Sequence, residues 1–226
     1  MITNYHTVFT VSIISTFLPF LTSIVLLRYL KAEKTLRLCW FFFAFAAITE
    51  IVLYIFSSKN KQSAWIFHIY TFLEYVLITM ILANWQNKSS IAKLVRISIP
   101  IYIFFFILIK TVGLESFETG LYNNITRPLA LLLLSTFAFL ALQNLWSQTP
   151  ANLTNDYRFW MLLAMALYYS ASLALFAFMF TKDQNLLIAL FKIHAVVNIM
   201  RNILFTIGVL RLRGAKQKTL QPASAS

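Results

Sequence analysis

Polar and ionisable side chains interrupt stretches of this sequence that are otherwise apolar, and any chemistry would depend on them. The clearest pattern is in the last stretch, where His194, Asn198, Arg201 and Asn202 recur about one helical turn apart. Residues at this spacing share one face of a helix. Such a face could bind a polar solute, carry a proton or hold helices together. If the stretch crosses a bilayer, each ionised side chain costs about 2.5–3.5 kcal/mol on insertion scales and requires an explanation.

Two earlier apolar stretches carry residues of the same kind. Tyr70, Thr71 and Glu74 share one helical face, and Glu50 lies in the stretch before them. Counted inward from the helix ends at about 1.5 Å per residue, most of these positions fall in one half of a bilayer. We predict one ligand site, with no catalytic residues and no cofactor, built from Glu50, His68, Tyr70, Glu74, Lys192, His194, Asn198, Arg201 and Asn202. Charge balance and depth favour the pairs Glu50–Lys192 and Glu74–Arg201.

The composition indicates what kind of protein positions these residues. The 226-residue chain is 60% hydrophobic and 12% charged, whereas soluble domains are about 45–50% apolar and about 25% charged. Its single cysteine, Cys39, excludes a disulfide scaffold and a multi-cysteine metal cluster. A net charge of +12 is also typical of nucleic-acid binding, but the basic residues are not clustered on one segment. We therefore predict a polytopic membrane protein that binds no nucleic acid.

Seven segments are long enough to cross a bilayer, which takes about 20 apolar residues. We call them spans 1 to 7, and they cover residues 8–27, 38–57, 64–84, 97–112, 128–147, 159–180 and 186–210. The first segment has neither a basic flank nor a cleavage pattern, so we expect it to be retained as a helix. The predicted fold is a single all-α membrane domain over residues 1–226.

The basic residues indicate the orientation of the spans. Lys and Arg are enriched in cytoplasmic loops, and twelve of the nineteen fall in the loops of one side or in the tail 211–226. These are Arg28, Lys31, Lys34, Arg37, Lys88, Lys93, Arg96, Arg158, Arg211, Arg213, Lys216 and Lys218. The other side has Lys59, Lys61, Lys110, Arg127 and Lys182. We predict an external N-terminus and a cytoplasmic C-terminus.

The sequences of the two halves of the chain indicate an internal repeat. Ser15-Thr16-Phe17 recurs as Ser135-Thr136-Phe137, and Trp40 aligns with Trp160 at the same offset. Span 3 aligns with span 7 at an offset one helical turn longer, and in this alignment Glu74 corresponds to Asn198. The prediction is a parallel 3+1+3 arrangement of repeat A (8–84), a linker helix (97–112) and repeat B (128–210). This layout resembles that of the SWEET-type transporters, although the chain has no Pro-Gln pair.

A second resemblance rests on two helices. The stretch His68-Ile69-Tyr70-Thr71-Phe72-Leu73-Glu74 and the His194, Asn198 and Asn202 pattern are similar to those of uncharacterised bacterial seven-helix membrane proteins. The resemblance implies location in a bacterial inner membrane. It implies no particular activity.

Three functions remain open at this point, beside a purely structural role for the polar residues. The favoured one is a transporter or carrier that binds a small solute in an outward-facing site between spans 2, 3 and 7. The second is a receptor that signals through a cytoplasmic partner, with retinal binding at Lys192 as a special case. The third is a membrane hydrolase whose metal is held by His68, His194 and Glu74 or Glu50. Besides the bilayer and a small ligand, a second copy of the chain is a possible partner.

Overall fold

The computed structural model describes residues 3–27, 33–59, 63–117, 123–178 and 183–220. In these residues all regular structure is helical, and seven spans are long and apolar enough to cross a membrane. Two helices, α1 (Thr3–Ser15) and α2 (Phe17–Val25), form span 1. The other spans are α3 (Lys34–Ser58), α4 (Ala64–Trp85), α5 (Ser89–Thr111), α6 (Thr126–Gln148), α7 (Tyr157–Phe178) and α8 (Gln184–Leu220), with a short 3-10 helix at Pro150–Asn155 before α7. The prediction of seven membrane-spanning segments is confirmed.

Helix α5 begins at Ser89, well before the predicted start at residue 97. Its first turns carry Lys93 and Arg96, which are exposed, while Ala92 and Val95 on the other face are buried. These turns are amphipathic rather than uniformly apolar, so a search for apolar segments misses them although the helix is continuous.

Span 1 is interrupted at Thr16, three residues before Pro19. A proline has no N–H to donate to the carbonyl four residues earlier, which here belongs to Ser15. The hydroxyl groups beside the interruption turn back onto the chain: Ser15 Oγ donates to the Ser12 carbonyl at 2.7 Å. The break leaves a group of hydroxyl side chains inside the bundle.

Apolar side chains pack closely at the end of the bundle where α4 and α8 finish. Helix α4 is the most buried span and α5 the least. Phe205 of α8 packs edge-on against Phe42 and at a tilt against Phe43, and all three rings are buried. Gly208 lets α7 approach α8 closely, because a Cβ at this position would lie 2.8 Å from Met161 Cγ. This half of the bundle is held together by close apolar contact.

Some predicted positions lie outside the described residues, namely Arg28, Lys31, Lys61, Lys182 and the end of the tail, 221–226. Within the described part, α8 continues as one helix beyond its membrane-spanning portion, which ends at Leu212, to Leu220.

Candidate functional site

A partly open cavity of about 210 Å³ lies at the end of the bundle where α4, α6 and α8 begin. Four of the spans and the start of α6 contribute to its wall. The lining residues are Thr49, Glu50, Leu53, Phe67, Tyr70, Thr71, Asn123, Arg127, Tyr168, Leu175, Phe176, Phe191, His194, Asn198 and Arg201. A water molecule needs a cavity of about 10–15 Å³, so this cavity has room for several waters or one small solute.

Behind the cavity wall, one carboxylate lies between two guanidinium groups. Glu74 of α4 is fully buried and forms an ion pair with Arg127, whose side chain is 10% exposed. Its other carboxylate oxygen, Oε1, lies 4.0 Å from Nη1 of Arg201, whose side chain is 5% exposed. If all three groups are ionised, the cluster has an excess of one positive charge at a depth where an uncompensated charge is costly.

Three tyrosines surround the cluster. Tyr70 and Tyr169 both donate to Oε1 of Glu74, at 3.3 and 3.4 Å. The guanidinium of Arg201 lies over the ring of Tyr168, 4.0 Å from its centroid, in a cation–π contact. Glu74 therefore has a full set of partners, whereas Arg201 is placed mainly by a ring face.

The polar face of α8 is attached to span 1. Asn198 donates to Ser12 Oγ and Asn202 to Ser15 Oγ, both at 2.9 Å. His194 lies beside Ser172 of α7, with Nδ1 3.2 Å from the hydroxyl oxygen. These bonds orient the stripe that the helical spacing predicted, and they use the hydroxyl groups at the break in span 1.

A second cluster of polar side chains joins the end of α5 to the start of α6. Glu115 accepts hydrogen bonds from Lys110, the backbone N–H groups of Ile125 and Thr126, and the Thr126 hydroxyl. Lys110 also lies 2.6 Å from Nδ1 of His68. Burial by itself would raise the pKa of Glu115, but the hydrogen bonds from these donors together lower it below its usual range. The ionised carboxylate caps the start of α6 and so positions Arg127.

The predicted site residues fall into two groups. Glu50, Tyr70, His194, Asn198 and Arg201 line the cavity. The other four are absent from its wall: Glu74 and Asn202 bond to residues behind it, His68 contacts Lys110, and Lys192 is half-buried on α8.

The two predicted ion pairs differ in outcome. Glu74 and Arg201 approach each other as expected, although Arg127 is the closer cation. Within the described residues, Glu50 and Lys192 form no ion pair, so this prediction is wrong. The two residues belong to different parts of the bundle wall, because Glu50 lines the cavity and Lys192 does not.

Two residues of this region are absent from the predicted site. Arg127 was assigned to an external loop because it precedes Pro128 and the apolar part of span 5, but α6 begins at Thr126 and the side chain points inward to Glu74. Asn123, just before α6, donates to the Phe67 carbonyl and to Thr71 Oγ1, at 3.2 and 2.9 Å. No charge imbalance in the sequence indicated Arg127, because the pairs Glu50–Lys192 and Glu74–Arg201 already balance the intramembrane acids.

The residues proposed for metal binding are separated. In the part of the chain that the structure describes, no three His, Cys, Asp or Glu side chains form a group that could hold a metal ion. His68 contacts Lys110, His194 contacts Ser172, and Glu74 contacts Arg127. The geometry of these residues therefore lends no support to a metal-dependent hydrolase.

Compared with protein-family models, with curated proteins and with solved structures, the chain matches none of them.

Proposed function

We propose that the protein is a carrier that binds a small solute in the cavity among α3, α4, α7 and α8. The observation that carries the proposal is a cavity inside the membrane-spanning bundle whose wall includes Glu50, His194, Asn198 and Arg201. His194 and Asn198 also bond to Ser172 and Ser12 on neighbouring helices, but a role in packing alone would not require an open cavity beside them. The cavity begins at one end of the bundle and reaches Tyr168 and Arg201, which lie near the middle of their spans, where alternating access requires a binding site.

We propose that the cavity opens outward, in the cytoplasmic membrane of a bacterium. The support is the distribution of charge: exposed Arg37, Lys93, Arg96 and Arg211 lie at the end of the bundle opposite the cavity. An excess of basic residues is typical of the cytoplasmic side. In this orientation the N-terminus is external and the C-terminus cytoplasmic.

We also propose that the bundle is a parallel 3+1+3 duplication. Two pairs of packed spans support it, because span 1 packs against span 7 and span 5 packs against span 3. Spans 1 and 3 of repeat A correspond to spans 5 and 7 of repeat B, so the two contacts are equivalent under the duplication. The aligned residues Glu74 and Asn198 both bond to the first span of the other repeat, through Arg127 and Ser12. In such folds the solute site lies between the repeats.

The test of a carrier is whether the cavity can be reached from both sides of the membrane. In a variant in which the native thiol is removed (Cys39→Ala), we introduce Asn198→Cys and add a membrane-impermeant thiol reagent to vesicles of either orientation. A carrier exchanges two conformations, so we expect labelling from both sides, slower from the cytoplasmic one. Labelling from one side alone would contradict the carrier.

Two further cysteine positions serve as controls. Ala138 is fully buried in the core, and Ala138→Cys should resist the reagent from both sides. Ser147 is exposed at the end of α6, and Ser147→Cys should react only from the cytoplasmic side, which also tests the orientation. Absence of labelling at position 198 from either side would show that the cavity is sealed.

One observation favours a receptor as the second candidate. Helix α8 reaches Leu220 without a break, and this extension carries Arg213, Lys216 and Lys218 in its sequence. A helical segment with a basic sequence beyond a membrane span is a segment that a cytoplasmic partner could bind. For a receptor we expect Asn198→Cys to be labelled only from outside, and a partner to be lost when residues 213–226 are deleted.

A further inference from the structure

The cavity wall contains a buried cation whose partners are incomplete. Within the described residues, Nη1 of Arg201 is buried and donates no hydrogen bond. Nε donates to Asn202 at 3.3 Å, and the Glu74 carboxylate is 4.0 Å from Nη1, which is too far for a hydrogen bond. A guanidinium is a planar set of donors that matches a carboxylate. Arg201 therefore has a donor available for an acceptor in the cavity, and a carboxylate is the acceptor that its charge and planar geometry favour.

The same wall contains acceptors that lack a donor. Asn123 is 2% exposed, and its Oδ1 has no hydrogen-bond partner among the described residues, although its amide nitrogen is fully used. Glu50, half-buried in the same wall, has neither an ion pair nor a hydrogen bond in the described part of the chain, although it lies within electrostatic range of Arg201. Buried polar groups are normally satisfied, so the Asn123 oxygen calls for a donor. A donor that carries a positive charge would also pair with the Glu50 carboxylate.

The rest of the wall is apolar. Leu53, Phe67, Leu175, Phe176 and Phe191 contribute side chains to the cavity. Because its volume is about 210 Å³, a ligand that satisfies both charged groups has room for only a short apolar portion.

From these three observations we infer that the solute is a small zwitterion of the α-amino acid type with an apolar side chain. Its carboxylate pairs with Arg201, and its ammonium group donates to Asn123 and Glu50. The inference rests on the proposed function, since it names the class of solute that the cavity binds.

The test compares three molecules of one shape. Leucine has both charges, isocaproate lacks the ammonium group, and isoamylamine lacks the carboxylate. Each is titrated into the purified full-length protein, and its Kd is obtained from the rise in thermal unfolding midpoint. We expect leucine to bind at least about tenfold more tightly than either analogue, because each analogue leaves one side of the cavity unpaired. Equal binding of leucine and isocaproate would overturn the zwitterion.

Substitutions in the cavity wall test which residues contact the ammonium group and the carboxylate of the solute. Glu50→Gln and Asn123→Ala should each weaken leucine binding about tenfold and leave isocaproate binding unchanged, because only the ammonium contact is lost. Arg201→Lys should weaken both, since the ammonium of lysine has no planar pair of donors. Lys192→Gln is the matched control, because it removes a cation of α8 outside the cavity wall, and it should alter neither affinity. Loss of isocaproate binding in Glu50→Gln would contradict the assignment.

The labelling experiment separates the failure of this inference from the failure of the carrier. If none of the three molecules raises the unfolding midpoint while Asn198→Cys is labelled from both sides, the zwitterion is wrong and the carrier stands. If Asn198→Cys is labelled from neither side, the carrier itself is wrong.

Discussion

The two ends of this bundle are stabilised in different ways. At the cavity end, helices meet through ions and hydrogen bonds centred on Glu74, Arg127 and Arg201. At the other end, side chains such as Ile78, Leu82 and Phe205 are almost entirely buried against apolar neighbours. The same α4 and α8 pass through both ends, so the difference lies in the side chains and not in the helices.

The two halves of the bundle should differ in how easily their side chains rearrange. Close apolar packing tolerates little rearrangement, because each shift opens voids or creates clashes. A group of charges with incomplete partners can exchange those partners when a ligand enters. The apolar half is therefore the scaffold against which the polar half can rearrange.

The largest loss of stability in the polar half should follow removal of the carboxylate that pairs with both arginines. Glu74→Gln leaves Arg127 and Arg201 buried without the anion that both approach. Removing one partner of a buried ion pair costs about 3–5 kcal/mol, so we expect a large fall in the thermal unfolding midpoint of the purified protein.

Glu50→Gln is the matched control for this change. It makes the same chemical substitution at a carboxylate that forms no ion pair within the described residues. Its stability should stay close to that of the native chain. If both variants lose the same stability, the charge cluster is not what holds this end together.

The apolar half should instead be sensitive to volume. Gly208→Leu places a side chain where Met161 Cγ and the Tyr157 carbonyl already leave no space. Overpacking costs about 1–3 kcal/mol, so the unfolding midpoint should fall while Asn198→Cys remains open to reagent. Ile203→Leu on the same helix is the control, because Ile203 is exposed and its substitution keeps the volume. Closure of the cavity in Gly208→Leu would show that the two halves are coupled.

The smallest effect concerns the loop that positions Arg127. The pKa of Glu115 is lower in the folded protein than its ordinary value of 4.5, so the folded state binds this proton less tightly. The stability that Glu115 contributes is therefore complete above pH 4.5 and is lost as the pH falls through the lower folded pKa. We expect the thermal unfolding midpoint to fall as the pH drops through this range. In Glu115→Gln this part of the pH dependence should be absent.

The sequence predicted the spans well, because an apolar stretch of about 20 residues is a local property. It also predicted the stripe on α8, since helical spacing alone determines which residues share a face. It predicted Glu74 beside Arg201 but missed Arg127, because the start of α6 depends on the capping carboxylate of Glu115, eleven residues earlier in the chain. The pair Glu50–Lys192 was wrong because similar depth does not imply that two residues lie on facing sides of their helices.

By itself, then, the sequence determined the number of spans, their polar faces and the small set of residues able to do chemistry. These follow from hydropathy and helical periodicity, which act along a single helix. The folded arrangement was needed to show which residues share the cavity wall, which cation pairs with Glu74, and which donors and acceptors remain unsatisfied. Those properties depend on the rotation and contact of separate helices, and packing between distant parts of the chain determines them.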